Sequence, residues 1–467
     1  MSREKALIKK TAIYAIGNLG SKILAYIMVL VYSYYISTDD MGYYDLILAT
    51  GEMIRPLVLF QINDGVYRFL VGAKREQKSA VIGTGFRFVL LSTACSELIF
   101  ILIASQLHFR YSVWIGVHFA TTILYLFLQD AVRGLGDSKL YATCGVLNSL
   151  VMLIFEVIGL IVLRMGVVSL IISKAIANIV CIIVFLVKYP DCLEGVREKP
   201  DKRMRRELLR YSAPLVPNTI CWWVVNSSDR YIILYFLGAA YNGIFSMAYK
   251  FPTILTTVTG IFFLAWQESA IKEYDSPNRD EFFSGIFKKY YRLLFTLSLC
   301  AIPATHIVIQ LFVSQQYKSA WIYTGFLFLG ASFSALCSFL GMGYQISKQT
   351  NRSLMTTVFS AFVNIAVNIA LIRFIGLQAA SFSTFVAYLF LFAVRVFHTK
   401  RYFKLEVCWV EFAMLTIACL GYLLIIIGIK SLIISFILTI LALGLTIALN
   451  KELIKPILGK IHIIKGA

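Results

Sequence analysis

Long runs of apolar residues dominate the pattern of this chain, and short polar segments separate them. A run of about 18 or more apolar residues is long enough to cross a lipid bilayer as an α-helix. The pattern therefore predicts an all-α polytopic membrane protein. Its fourteen predicted spans, numbered 1 to 14 in chain order, are Thr11–Ile36, Tyr43–Ile62, Ala80–Gln106, Val113–Ala131, Leu140–Leu163, Val168–Val187, Tyr211–Leu237, Gly243–Trp266, Tyr291–Val313, Ala320–Ile346, Leu354–Ile375, Ala379–Phe397, Val410–Ile429 and Leu432–Leu449.

Composition supports the membrane interpretation. Of the 467 residues, 59% are hydrophobic and only 15% are charged, whereas a soluble domain is nearer half apolar and a quarter charged. The net charge of +19 could suggest nucleic acid as a partner. Here the Lys and Arg residues fall mostly in alternate short loops, so they are better explained as topology signals. The alternation predicts a multi-pass protein of the cell membrane with both termini in the cytoplasm, and no nucleic-acid binding.

The turn between spans 1 and 2 is similar to the turn between spans 7 and 8. Gly42 and Gly243 each begin the second helix of a hairpin, and a basic residue near a proline follows in both. A repeat of six helices keeps its orientation, so the similarity predicts two parallel, pseudo-symmetric six-helix lobes plus two C-terminal helices. The predicted division is an N-lobe over residues 1–188, a basic cytoplasmic linker over 189–210, a C-lobe over 211–405, and helices 13 and 14 with a basic tail over 406–467.

Four basic residues lie inside predicted spans of these two hairpins. Lys22 and Arg55 lie about midway along spans 1 and 2, and Arg230 and Lys250 share a depth on spans 7 and 8. Charged residues inside a membrane are costly and usually face a partner or a water-filled cavity. We therefore expect the four to bind an anionic substrate such as a phosphate or pyrophosphate, with Asp229 pairing with one of them or positioning it.

Other charges in the spans have structural interpretations as well. Glu52 and Arg55 are three residues apart, and Asp64 and Arg68 are four apart, so each pair could neutralise itself on one helix face. Glu52, Asp64 and Arg68 are therefore predicted as supporting charges. Arg395 lies near a predicted cytoplasmic helix end and is expected to extend its side chain to the interface.

The sequence lacks the motifs of several kinds of enzyme and cofactor chemistry. The chain has no GxxxxGK[ST] phosphate loop and no GxGxxG fingerprint. The five histidines are scattered without metal-ligand spacing, and the nine cysteines form no CxxC pair. We expect no enzymatic activity, no catalytic residue, no cofactor and no metal site.

Several segments resemble Wzx-type polysaccharide flippases, a branch of the multidrug/oligosaccharidyl-lipid/polysaccharide exporter superfamily. They are LLRYSAPLVPNTICWWVVNSSDRYIILYFLGAAYNGIFSMAYKFP in the centre of the chain, GYYDLI at Gly42–Ile47, RGLGDSKLYATCGVLNSL at Arg133–Leu150 and FFLAWQESAI at Phe262–Ile271. The resemblance implies two six-helix lobes around a cationic cavity. It also implies that an oligosaccharide on undecaprenyl pyrophosphate is moved across the cytoplasmic membrane by alternating access, for surface polysaccharide biosynthesis.

The resemblance also places basic cavity residues at Lys22, Arg55 and Lys250. The chain departs from the family pattern in span 1, which has a single basic residue in its core instead of an arginine cluster. The implied partners are the lipid-linked oligosaccharide through its pyrophosphate headgroup, membrane lipids, and a glycan polymerase and glycosyltransferases.

Two other functions fit the sequence. A cation-coupled multidrug exporter of the same superfamily would use acidic residues in its cavity and would carry cationic drugs. A non-transporting scaffold for the glycan assembly machinery would need only the membrane helices. The identity of the glycan and the energy source, an ion gradient or the membrane potential, are left open by the sequence.

Overall fold

The computed structural model describes residues 26–71, 73–107, 109–190, 201–347 and 349–451 of the chain. Within these ranges the chain is built from α-helices and contains no β-strand. The chain separates into two compact units, of which the first ends at Trp223 and the second begins at Val224. The boundary falls inside predicted span 7. The limits predicted for the two lobes stay predictions.

In the described part of the first unit, eight α-helices precede the one that carries the unit boundary. They are α1 (described over Tyr26–Tyr35), α2 (Thr38–Leu59), α3 (Ile62–Leu70), α4 (Arg75–Leu107), α5 (Ser112–Gly134), α6 (Ser138–Val157), α7 (Val167–Lys188) and α8 (Lys202–Ser212). Helix α3 packs between α4 and α5, and α8 packs against α3. Their buried side chains form the core of this unit, among them Ile62, Val66, Phe86, Phe127 and Leu208.

Helix α9 (Val216–Ser227) carries the boundary, and nine α-helices follow it over residues 229–347 and 349–451. They are α10 (Asp229–Phe236), α11 (Ala239–Lys250), α12 (Pro252–Glu273), α13 (Arg279–Phe312), α14 (Trp321–Ile346), α15 (Thr350–Ile375), α16 (Gln378–Thr399), α17 (Trp409–Ile429) and α18 (Leu432–Leu449). Helices α14, α15 and α16 pack closely on one another, and α17 and α18 pack on α13. Phe333 and Phe412 contact each other in an aromatic core of this unit.

Ten helices of the described chain are long and apolar enough to cross a membrane. They correspond to predicted spans 3 to 6 and 9 to 14, which confirms a multi-pass membrane protein. Span 1 lies largely outside the described residues. Span 2 ends at a break at Phe60–Gln61, beyond which α3 begins. Span 7 contains the turn Ala213–Leu215 and a one-residue interruption at Ser228, and span 8 is interrupted at Phe251; the backbones of Ser228 and Phe251 stay in the α-helical region. The broken helices therefore belong to the two hairpins that the sequence singles out.

The break in span 2 has an unusual backbone conformation. Phe60 and Gln61 are consecutive non-glycine residues in the left-handed region, with φ of 47° and 54°. L-residues with a Cβ adopt this region at a cost of roughly 1–2 kcal/mol each. The Gln61 side chain offsets part of that cost, because its Nε2 donates to Thr219 Oγ1 at 2.7 Å. Pro56 lies one turn before the break inside α2.

Asp137 joins α6 to the end of α7. Its carboxylate caps α6 by accepting from the Leu140 amide at 3.0 Å, and it also accepts from Lys188 Nζ at 2.8 Å and Tyr189 Oη at 2.9 Å. Partial burial acts to raise the pKa of Asp137, but the hydrogen bonds from Lys188, Leu140 and Tyr189 outweigh it and hold this pKa below its ordinary value. The turn therefore depends on an ionised Asp137.

We expect Asp137→Ala to lower the free energy of unfolding by about 1 kcal/mol at neutral pH, the usual value of a helix cap. Because the folded-state pKa is depressed, this stabilisation is present above the ordinary pKa of about 3.9 and is lost as the pH falls through the lowered pKa. Thermal unfolding in detergent at several pH values measures the difference. Asp137→Asn is the matched control, since it keeps the cap but removes the charge. A deficit in Asp137→Ala that is the same at all pH values would contradict the argument.

Candidate functional site

The predicted basic residues of the first unit are described in part. Lys22 lies outside the described residues. Arg55 lies on α2 with a half-buried side chain, next to the buried Pro56. Arg55 interacts electrostatically with Asp64 at the start of α3 and with Asp130 on α5. The guanidinium of Arg55 therefore faces acidic side chains of its own unit.

The supporting charges predicted around Arg55 have different environments. Glu52 and Arg68 are exposed, whereas Asp64 is half-buried. Asp64 has Asp130, Arg55 and Arg133 as its charged neighbours. Asn63 Nδ2 donates to Asp130 Oδ2 at 2.9 Å. Two acids and two arginines thus meet where α2, α3 and α5 come together. Asp130 is one of the charges that the sequence places inside a predicted span, whereas Arg133 is a member that the sequence interpretation did not select.

In the second unit, Arg230 is held in place by its neighbours. Its side chain is nearly buried, Nη1 donates to the backbone oxygen of Asn226 at 2.8 Å, and the guanidinium lies 4.9 Å from the centre of the Tyr249 ring. Asn226 in turn accepts a 2.6 Å hydrogen bond at Oδ1 from Tyr388 of α16. Lys250 follows Tyr249 directly and is half-buried. It is the last residue of α11, and only Phe251 separates it from Pro252, where α12 begins.

Asp229 is the most enclosed of the predicted residues, with no exposed surface. Its carboxylate accepts from Asn368 Nδ2 at 2.7 Å, from Thr384 Oγ1 at 2.8 Å and more weakly from Ser383 Oγ at 3.5 Å. These three donors are uncharged and lie on α15 and α16. They fix the start of α10, and through it the position of the adjacent Arg230.

Asparagines of α15 extend this buried polar cluster. Asn364 Oδ1 accepts from Ser228 Oγ at 3.2 Å, one residue before Asp229. Within the described ranges, Asn364 Nδ2 and Asn368 Oδ1 are buried without a hydrogen-bond partner. Sequence reasoning missed both residues because they are neutral. The available signal was their spacing of four in an otherwise apolar span, which places both amides on one helix face.

The expectation for Arg395 is wrong. Its side chain is buried instead of reaching an interface, and Nη1 donates to the backbone oxygen of Cys337 on α14 at 2.7 Å. Gly341 provides the space, since a Cβ there would lie 2.9 Å from Nη1. Arg395 therefore cross-links α14 and α16, and neutral hydrogen bonds replace the water that an extended side chain would reach.

The fold is shared with known transporters. The chain is similar to the lipid II flippase MurJ in an inward closed conformation, with a TM-score of 0.70 and 14% identity over 95% of this chain and 100% of that one. An inward-facing MATE-family multidrug transporter gives a TM-score of 0.68 and 13% identity, over 83% of this chain and 98% of that one. A variant of the Vibrio cholerae MATE transporter VcmN gives a TM-score of 0.57 and 12% identity, over 85% of this chain and 96% of that one. The chain therefore shares the fold of these multi-pass membrane proteins.

A family model described as polysaccharide biosynthesis protein matches residues 7–271, which is more than half of the chain. The chain belongs to the polysaccharide biosynthesis protein family. This membership confirms the resemblance to polysaccharide flippases that the sequence segments indicate. No curated protein matches the sequence significantly.

Proposed function

We propose that this protein is a flippase that moves oligosaccharide units linked to undecaprenyl pyrophosphate across the cytoplasmic membrane for surface polysaccharide biosynthesis. The observation that carries the proposal is membership in the polysaccharide biosynthesis family. The likeness of the fold to a lipid II flippase and to MATE transporters supports it. A glycan polymerase and glycosyltransferases are the proposed partners of the pathway.

We further propose the finer architecture that the sequence predicts. The protein has fourteen transmembrane helices in two pseudo-symmetric six-helix lobes plus helices 13 and 14, with both termini in the cytoplasm. The interruptions at the end of span 2 and within span 8 support the symmetry, because each lies close to a basic residue and a proline. Interrupted helices can bend, and bending would let the lobes rock during alternating access.

The basic residues Lys22, Arg55, Arg230 and Lys250 are proposed to bind the pyrophosphate headgroup during the transport cycle. A guanidinium can bind two phosphate oxygens at once, and an ammonium acts as a compact positive charge. Arg230 is already oriented by Asn226 and Tyr249, so it offers a preorganised group. Arg55 and Lys250 are half-buried, so part of each side chain is accessible.

Asp229 is proposed to carry a proton or a small cation when the protein changes state. An ionised carboxylate without contact to water is costly unless it is neutralised. The hydrogen bonds to Asp229 come from neutral groups of Asn368, Ser383 and Thr384. The guanidinium of the adjacent Arg230 interacts with Asp229 electrostatically but makes no ion pair with it among the described contacts. The nearby Asn368 Oδ1 is an additional oxygen that could accept a proton donor or a cation.

The test of the function is translocation by the purified protein in liposomes. Undecaprenyl-pyrophosphate-linked oligosaccharide is placed in one leaflet, and an impermeant sugar-cleaving enzyme reports its arrival in the other. We expect arrival that depends on the protein and not on ATP. Liposomes that translocate no lipid-linked glycan would contradict the flippase function.

The similarity to MATE transporters supports one alternative, a multidrug exporter. The same liposomes loaded with a cationic fluorescent drug separate the two functions. Cation-coupled drug efflux without glycan movement would favour the exporter. Failure of both assays, with intact protein in the membrane, would favour the scaffold.

A further inference from the structure

Helix α8 presents a stripe of basic residues along one side. Lys202, Arg206 and Arg210 are spaced by four, which places them on one face of the helix, and all three are exposed. We call these three residues the basic stripe. Arg205 is exposed beside it, and Arg68 is exposed on α3, against which α8 packs.

The opposite side of α8 is already occupied by the protein. Met204, Leu208 and Ser212 form a second stripe with the same spacing, and Leu208 and Ser212 are fully buried. Gly65 of α3 approaches so closely that a Cβ added there would lie 3.3 Å from the backbone oxygen of Leu208. Met204 packs on the core of the first unit. Because the apolar side is docked on α3, the basic stripe points away from the protein.

The acidic residues of α8 do not neutralise the stripe. Asp201 caps the helix by accepting from the Met204 amide at 2.9 Å, and Glu207 pairs with Arg203 at 3.1 Å. Among the described residues, no ion pair joins Lys202, Arg206 or Arg210 to a carboxylate. The exposed side of α8 is therefore strongly positive.

The location of α8 indicates which class of anion binds the basic stripe. The helix continues through the short turn Ala213–Leu215 into α9, which belongs to predicted span 7. In the proposed architecture of fourteen membrane helices, the basic stripe lies directly before a membrane segment and therefore close to the lipid phosphates. Clusters of Lys and Arg next to a transmembrane helix bind anionic lipids, with roughly 1 kcal/mol from each charge.

We propose that the basic stripe is a binding site for the headgroups of anionic phospholipids, which hold α8 at the membrane surface. The phosphate groups supply the negative charge that α8 lacks, and the docked apolar side keeps the helix from inserting more deeply. This interaction does not depend on the cargo of the transporter. It concerns the lipid of the surrounding leaflet and not the lipid-linked glycan.

Lipid retention by the full-length protein tests the proposal. The purified protein is equilibrated in mixed micelles of phosphatidylcholine and phosphatidylglycerol, and bound lipids are counted by native mass spectrometry. We expect the parent to retain phosphatidylglycerol selectively. The variant K202Q/R206Q/R210Q should bind it at least about ten-fold more weakly, and added salt should weaken binding to the parent in the same direction.

The variant K202R/R206K/R210K is the matched control, since it keeps the charge and exchanges the side chains. It should retain phosphatidylglycerol like the parent, and both variants should unfold at similar temperatures. Equal retention by the neutralised variant and the parent would overturn the proposal. So would a loss of retention in the charge-preserving variant, because headgroup attraction requires the charge and not a particular side chain.

Discussion

Neutralising Arg55 is expected to reduce export of the lipid-linked glycan, and neutralising it together with Lys22 to abolish export, while the protein still reaches the membrane. A charged hydrogen bond to a phosphate oxygen contributes about 1.5–3 kcal/mol, which corresponds to roughly ten-fold to more than a hundred-fold in affinity. We expect Arg55→Gln to reduce transport in liposomes by at least about ten-fold, and the double variant with Lys22→Gln to leave no measurable transport. Arg55→Lys should be intermediate, because it keeps the charge and loses the two-pronged geometry.

The acidic neighbours of Arg55 offer a second explanation for a loss of transport, and the experiment must distinguish it from headgroup binding. If Arg55 served only to neutralise Asp64, then combining Arg55→Gln with Asp64→Asn would restore transport. If Arg55 binds the headgroup, the combined variant stays inactive. Arg110→Gln is the control, since Arg110 forms an exposed ion pair with Asp40 at 3.0 Å, and such pairs contribute little. Full activity of Arg55→Gln would remove Arg55 from the site.

Asp229→Asn is expected to give a folded protein whose transport rate is reduced by about ten-fold or more. A ten-fold reduction corresponds to about 1.4 kcal/mol. The asparagine keeps a carbonyl oxygen for the Asn368 amide, and its Nδ2 can donate to the Thr384 hydroxyl, which still donates to the Ala380 backbone oxygen. The packing of α10 against α15 and α16 is therefore preserved. It cannot bind or release a proton, and it attracts a cation less strongly. Transport driven by a proton gradient and by a sodium gradient is measured separately in liposomes.

Asp229→Leu separates the structural role of this residue from its role in transport. It removes the acceptor and leaves the buried Asn368 amide unpaired, which costs about 1–3 kcal/mol. We expect a lower unfolding temperature for Asp229→Leu and a nearly unchanged one for Asp229→Asn. Normal transport by a stable Asp229→Asn protein under both gradients would refute a coupling role.

The apolar pattern predicted most of the membrane helices, for a simple physical reason. A bilayer accepts only helices whose length and composition match its core, so spans 3 to 6 and 9 to 14 could be recognised without any tertiary information. The interior of the second unit was harder to predict. Asn364 and Asn368 are neutral, and only their packing against Asp229 gives them a role.

The apolar pattern also did not predict the local breaks in helices. A left-handed turn is normally signalled by glycine, and Phe60–Gln61 has none. Its conformation depends on tertiary contacts such as the hydrogen bond from Gln61 to Thr219. The mistaken expectation for Arg395 has a similar origin, because the space left by Gly341 on another helix decides where the guanidinium lies.

The break at Phe60–Gln61 has a mechanical consequence for the first unit. Across it, α2 and α3 do not share one axis, so a rotation of α2 is not transmitted rigidly to α3. Gln61 holds the near end of α3 on α9 through Thr219, and α8 supports α3 from the side. Arg55 on α2 and Asp64 on α3 thus lie on opposite sides of the break, and we expect a movement of α2 to change the distance between them.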